Sequence, residues 1–255
     1  MTTDDVIRPR HVLCVIGAGL DFDTVENVAV EVGGDGFSLD QEYSQHEPDD
    51  RMATSFRACL CNATFTDDDW AAVAAHDTVA YVLSPPLTPE TSFNVAGRML
   101  AVTAALLRAG ATAAKNESSG LTHGRDRWLA IADAAADQSD HALNVGVLYQ
   151  AWVKRPISSG PLLYSCGMHL LAAPDVEVDR GDREDDLDNW VELIDGLGLY
   201  LLTERRALAI RDGEGFRLTA DAPRWILRQR LCHRYEDDDF FFNPYGYWRL
   251  TVDSD

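Results

Sequence analysis

Apolar residues recur along the chain in two rhythms, every second position and every third or fourth, and the switch between them marks the elements. A run at residues 11–16 that is apolar from Val12 to Ile16, closed by Gly17-Ala18-Gly19, predicts a buried first strand after a polar, disordered segment at 1–10. The glycine-rich stretch 33–36 leads into 37–43. At 55–65, Phe56, Ala58 and Leu60 alternate with Arg57, Cys59 and Cys61, and a period of two predicts a strand. Thr66 followed by Asp67, Asp68 and Asp69 is a helix start: a capping hydroxyl with carboxylates at the positive end of the dipole, turning Trp70 and Val73 to the core. Residues 78–83 predict an apolar strand ended by Pro85-Pro86. Thr88 as cap and Pro89 as first helical residue then open a helix to about residue 109, stopped by Gly110. Its buried face is expected to carry Phe93, Gly97, Leu100, Ala104 and Leu107.

A short strand at 111–116, a polar loop at 117–123 and a helix at 125–137, with Trp128, Ile131 and Ala135 inward, complete a first half that alternates strand and helix. Residues 141–165 show no clear period. Beyond them 164–171 reads as a strand, 174–178 continues extended, and Asp182 caps a helix burying Leu187, Trp190, Ile194, Leu197 and Leu201. The tail has strand-like runs at 207–211, 216–219, 225–231 and 247–252, with turns at Asp212-Gly213 and Asn243-Pro244-Tyr245-Gly246. No linker rich in Pro, Gly and Ser separates the halves. The expected fold is α/β or α+β, with mixed sheets flanked by helices. It is a single compact domain over 11–255, divisible into two similar small halves that meet near 155.

Composition narrows the function more than the fold. At 255 residues, 46% hydrophobic and 25% charged, the chain has the make-up of a folded globular protein. Its 42 acidic residues against 22 basic give −20, which argues against nucleic acid or an anionic membrane and allows a basic partner. No apolar run approaches the ~18 residues of a membrane span and no signal-cleavage pattern follows the first strand, so the expected location is the cytoplasm. Cys14, Cys59, Cys61, Cys166 and Cys232 are odd in number and mostly in apolar settings, as reduced buried thiols are.

Several stretches carry candidate chemistry. Gly17-Ala18-Gly19 has Phe22 where a dinucleotide fingerprint needs its third glycine, and Asp21 and Asp23 would repel a pyrophosphate, so no cofactor is expected. Lys115, Glu117, Ser118, Ser119, His123 and Arg125 cluster where a strand ends and a helix begins, a place that suits an anion or a histidine-activated serine. The alternative is a capping loop held by a Lys115–Glu117 ion pair, and no catalytic residue is assigned. Cys166, His169, Cys232 and His233 are zinc-type donors at the wrong spacing, so no metal is expected. Strand alternation places Arg224, Arg228, Arg230 and Arg234 on one face, a patch able to bind an acidic ligand. Phe240-Phe241-Phe242 directly after Glu236, Asp237, Asp238 and Asp239, with Tyr245, Tyr247 and Trp248 following, is either core or an aromatic interface with an acidic rim, and Glu236, Asp237, Asp238, Asp239, Phe240 and Tyr245 are the candidate partner-binding residues.

Three segments carry a resemblance: Lys115-Asn116-Glu117-Ser118-Ser119-Gly120-Leu121-Thr122-His123-Gly124-Arg125-Asp126-Arg127-Trp128, Tyr164-Ser165-Cys166-Gly167-Met168-His169-Leu170-Leu171-Ala172-Ala173-Pro174-Asp175-Val176-Glu177, and Phe241-Phe242-Asn243-Pro244-Tyr245-Gly246. Together they resemble a bacterial family of uncharacterised cytosolic proteins with a domain of unknown function, a match that would extend from His11 onward. Small acidic proteins of this kind resemble immunity proteins encoded beside secreted antibacterial toxins, type VI secretion effectors included, and the resemblance implies a binder. The leading expectation is therefore a non-enzymatic binding protein that neutralises a basic toxin. The alternative is an enzyme acting on a small anionic substrate at the 115–125 loop. A binder needs a broad acidic and aromatic surface, whereas an enzyme needs His123 to converge with Ser118, Ser119 or Glu117.

The thiol reading is directly testable. Titration after denaturation without reductant is expected to find about five free groups, one per cysteine. A count near one would contradict it.

Overall fold

Strand β1, Val12–Gly17, is buried along its whole length because both faces of its sheet are covered. In the computed structural model, which describes residues 8–60, 64–137, 140–181 and 186–252, β1 is followed by α1 (Phe22–Val28), β2 (Ser38–Leu39), α2 (Met52–Cys59), α3 (Asp67–Ala74) and β3 (Thr78–Leu83). Next come α4 (Ser92–Arg108), β4 (Ala113–Asn116), β5 (Leu121–Thr122) and α5 (Arg125–Ala136). The first sheet has the order β2-β3-β1-β4-β5, and every ladder in it is antiparallel. Leu13 and Val15 face α1 and α4, while Cys14 and Ile16 face Phe56 of α2 and Val73 of α3.

The second sheet is mixed. Helix α6 (His141–Trp152) leads to β6 (Lys154–Ser159), β7 (Leu162–Cys166) and β8 (Asp175–Asp179), then α7 (Leu187–Thr203), β9 (Gly215–Phe216), β10 (Trp225–Arg230) and β11 (Tyr247–Val252). Its order is β6-β7-β8-β11-β10-β9, with only β8 and β11 parallel. Val176, Val178, Trp248 and Leu250 turn to Trp190, Ile194 and Leu197 of α7. Alternation sends Asp175, Glu177, Tyr247 and Arg249 to the opposite face. Tyr149 and Trp152 of α6 belong to the core of the first half, and Tyr149 Oη donates to Asp195 of α7 (2.9 Å), so α6 ties the sheets together. The chain is thus an α+β protein whose two sheet-and-helix halves differ in strand order. No helix among the described residues is long and apolar enough to cross a membrane.

Several elements differ from expectation. The strand expected at 55–65 is the helix α2, because Met52, Phe56 and Cys59 repeat at helical spacing and supply its buried face; Cys61 lies outside the described residues. The strand expected at 164–171 ends at Cys166, where Gly167 takes φ 116° and starts a 3-10 turn at Met168–Leu171. Another 3-10 turn, Arg205–Ala209, replaces the strand expected at 207–211. Helix α4 begins three residues after Pro89, since the Thr88 N–H is spent on Thr91 Oγ1 (3.0 Å) in a preceding turn. Its burial extends past the expected stripe to Val95, Met99, Val102 and Leu106, while Phe93 and Gly97 are only half-buried. Asp186 caps α7, leaving Leu187 exposed; Asp182 lies outside the described residues, as do 1–7 of the segment expected to be disordered.

The helix start at Thr66 forms as expected and does more than expected. Asp69 Oδ2 accepts from the Thr66 N–H (2.8 Å) and hydroxyl (2.9 Å), closing a capping box on α3. Its Oδ1 accepts from the Arg125 N–H (2.9 Å), so one buried carboxylate caps α5 as well. Asp69→Ala should therefore cost about 2 kcal/mol in urea unfolding, about twice an ordinary cap. A loss within about 0.5 kcal/mol would contradict the shared cap.

Candidate functional site

The polar loop expected at 117–123 is a buried turn between β4 and β5. Asn116 Oδ1 accepts from the Ser119 N–H (3.0 Å) and closes the turn, with Gly120 at φ 59°. Its candidate residues do not converge. Ser118 Oγ donates to Arg10 O (2.7 Å) and accepts from the Val12 N–H (3.0 Å), pinning the turn to the start of β1. Ser119 Oγ is held by Asn116. His123 reaches the Gln150 carbonyl through Nε2 (3.2 Å) and meets Trp128 edge-on at 4.7 Å. Arg125, partly exposed, donates to Leu107 O (3.1 Å). Because β5 intervenes between β4 and α5, and Asp69 occupies the Arg125 N–H, the helix-terminus cradle that suggested an anion site is already filled.

Lys115 lies on the other face of the first sheet, buried beside Phe56 and paired with Glu117. Burial alone would lower its pKa, but the paired Glu117 carboxylate holds it above the ordinary value, so it stays charged and is no nucleophile. Burial pushes the neighbouring Cys14 thiol up to about 12, leaving it unreactive at neutral pH.

Behind the turn is a row of buried imidazoles that sequence reasoning did not single out as a group. The Asn116 amide donates to His11 Nδ1 (3.2 Å), which places the His11 proton on Nε2, where it has no partner among the described residues. His11 meets Trp152 edge-on at 4.7 Å, and Trp152 packs on Trp128 at 5.4 Å. Neither ring nitrogen of His169 has a hydrogen-bond partner of normal geometry among the described residues, although the Ser118 and Phe240 backbones favour its charged form. Burial drives His11 down to about 3, helped by His169, and drives His123 and His169 to about 4. Among the described residues no group of three or more His, Cys, Asp or Glu is placed to hold a metal ion.

The second sheet contributes a polar knot that was also missed. Asp175 accepts from Ser165 Oγ (3.0 Å), the Met168 N–H (3.2 Å) and Asn243 Nδ2 (2.7 Å), while burial raises its pKa to about 7. Glu177 is buried between Arg234 and Arg249, and Arg234 lies over Tyr164 at 3.8 Å. A hollow of about 20 Å³ remains beside them, room for a single water. The only sequence signal was Asp175 and Glu177 alternating with Val176 and Val178. Of the arginines expected on one face at 224–234, Arg228 and Arg230 do share a face of β10, opposite Arg249 and Tyr247 of β11, but they are engaged locally: Arg234 pairs with Glu177, Arg228 with Asp212 (3.3 Å), and Arg230 donates to the Gln229 carbonyl (2.9 Å).

Asn243 also donates to Ala173 O (3.0 Å), and Phe241 lies against Gly120, so the 235–245 segment is strapped across the buried turn. This strap joins the two predicted groups. Phe240, 57% exposed, lines a cleft of about 450 Å³ with Arg10, Asp40, Tyr43, Tyr81 and Glu117. An adjoining hollow of about 160 Å³ shares Arg10 and Phe240 and adds Arg8 with Asp237, Asp238 and Asp239. Glu236 and Tyr245 line neither hollow, and Tyr245 is half-buried. Comparison with protein-family models, curated proteins and solved structures finds no match, so the family resemblance rests on its three segments alone.

The imidazole row makes the fold acid-sensitive. Each histidine is neutral in the folded state and takes a proton near pH 6.5 when unfolded, so stability falls as pH drops through that value. Between pH 7 and pH 5 the three cost about 5 kcal/mol. Asp175, protonated more readily in the folded state, returns about 2 kcal/mol over the same interval. Urea unfolding should show a net loss of about 3 kcal/mol at pH 5, and unchanged stability would contradict the burial of neutral histidines.

Proposed function

We propose that this chain is a non-enzymatic binding protein whose acidic, aromatic groove takes a basic protein partner, in the manner of an immunity protein that neutralises a basic antibacterial toxin. One observation carries the reading: Asp40, Glu117, Asp237, Asp238 and Asp239 line adjoining hollows with the exposed rings of Tyr43 and Phe240, against only Arg8 and Arg10. An interface of exposed aromatic anchors within a charged rim is the usual anatomy of a hot spot. The overall −20 would speed encounter with a cationic surface. An enzyme acting on a small anion at the 115–125 loop draws no support from side chains that are spent separately on Arg10 O, Asn116, Gln150 O and Leu107 O.

Capture from native cells on the immobilised chain, alongside an Asp237→Lys/Asp238→Lys/Asp239→Lys variant, tests the proposal. The captured protein should be basic. Its association rate should drop at least about tenfold on charge reversal, and the difference should shrink with added salt. His123→Ala should bind as the unaltered protein does. An acidic captured protein, or one indifferent to the reversal, would contradict the reading.

A further inference from the structure

Within the groove, the two hollows differ in charge. In the larger cleft Arg10 donates through Nε to Ser84 O (3.0 Å) and feels the field of Asp40, while Glu117 is matched by buried Lys115, so the ionic groups there are balanced. The surplus negative charge belongs to Asp237, Asp238 and Asp239 across the shared Phe240 wall. Two acceptors in the cleft remain open: Asp40 uses Oδ1 for the Glu42 and Tyr43 N–H groups (3.1 and 3.3 Å), and Glu117 gives Oε1 to Lys115. Among the described residues neither Asp40 Oδ2 nor Glu117 Oε2 has a partner. Tyr43, 67% exposed, Tyr81 and Phe240 supply ring faces, and Val12 and Leu83 complete an apolar floor.

We infer that the 450 Å³ cleft is a socket for an arginine side chain of the partner, whose guanidinium stacks on Tyr43 or Phe240 and reaches the free oxygens of Asp40 and Glu117. The inference rests on the binding reading and adds the residue type recognised. A planar, weakly hydrated guanidinium suits an aromatic cleft of balanced charge, because it stacks and presents a fork of donors to separate acceptors. A compact ammonium would lose its hydration shell there for fewer contacts. The acidic trough beyond Phe240 discriminates less, since screened attraction depends on charge alone.

Fluorescence titrations with labelled hexa-arginine and hexa-lysine test the socket. Hexa-arginine should bind at least about fivefold tighter than hexa-lysine. Tyr43→Ala and Phe240→Ala, at exposed positions that leave the core intact, should each weaken hexa-arginine by about tenfold and abolish the preference. Asp40→Asn should weaken it comparably, while Asp126→Lys, remote on α5, should not. The Asp237→Lys/Asp238→Lys/Asp239→Lys variant should weaken both peptides alike. Equal binding of the two peptides, with Tyr43→Ala silent but the triple reversal effective, would overturn the socket and leave the basic-partner reading standing. No binding of either peptide, with the reversal also silent in partner capture, would overturn both.

Discussion

Polar groups removed from water must be paired inside the protein, at a cost of about 1–3 kcal/mol for each one left open, and the buried turn at 116–120 is where this chain meets that demand most heavily. Asn116 serves both His11 and the Ser119 N–H, and Ser118 serves both Arg10 O and the Val12 N–H. These bonds set where β1 begins. The second half fits the same turn from the other side: at Gly167 any side chain would run into Ser119 and the Trp152 carbonyl, and Phe241 lies on Gly120. The turn is therefore the joint between the sheets, and its hydroxyls and amide are consumed by that task.

The groove follows from how the joint is covered. Asn243 anchors the strap to Asp175 and Ala173, Asp239 Oδ1 accepts from the Phe241 N–H (2.8 Å), and Phe241 is turned inward. Its neighbour Phe240 is then left outward, beside Glu117 as that residue emerges from the turn. An exposed ring on an anchored segment costs little entropy to bind, which is the property a recognition surface needs. The charges sort by the same geometry. Those nearest the joint are paired, Lys115 with Glu117 and Glu177 with Arg234 and Arg249, while Asp237, Asp238 and Asp239 make no ion pair among the described residues.

Local chemistry was legible in the sequence where one element decided it. The Thr66–Asp69 cap, the strand at 78–83 and the two runs that became β10 and β11 form nearly as read, because capping residues and apolar runs act over a few neighbours. Helix α2 was hidden because the alternation from Phe56 to Leu60 masks a helical repeat that starts at Met52. The site was half legible: Lys115 to Arg125 and Glu236 to Phe240 stood out as polar and acidic-aromatic stretches. Nothing local could show that Ser118 is consumed by Arg10, or that Glu117 and Phe240, far apart in sequence, line one cleft. Non-local pairing also hid the Asn116–His11 hydrogen bond and the second donor to Asp69.

Amide hydrogen exchange across the whole chain, with and without hexa-arginine, tests most directly whether the groove rather than the turn is the working surface. The account predicts slowed exchange at residues 40–43 and 237–242, with 119–125 unchanged because those amides are already buried in the joint. Protection centred on 119–125 or on 224–230, with the strap unaffected, would contradict it.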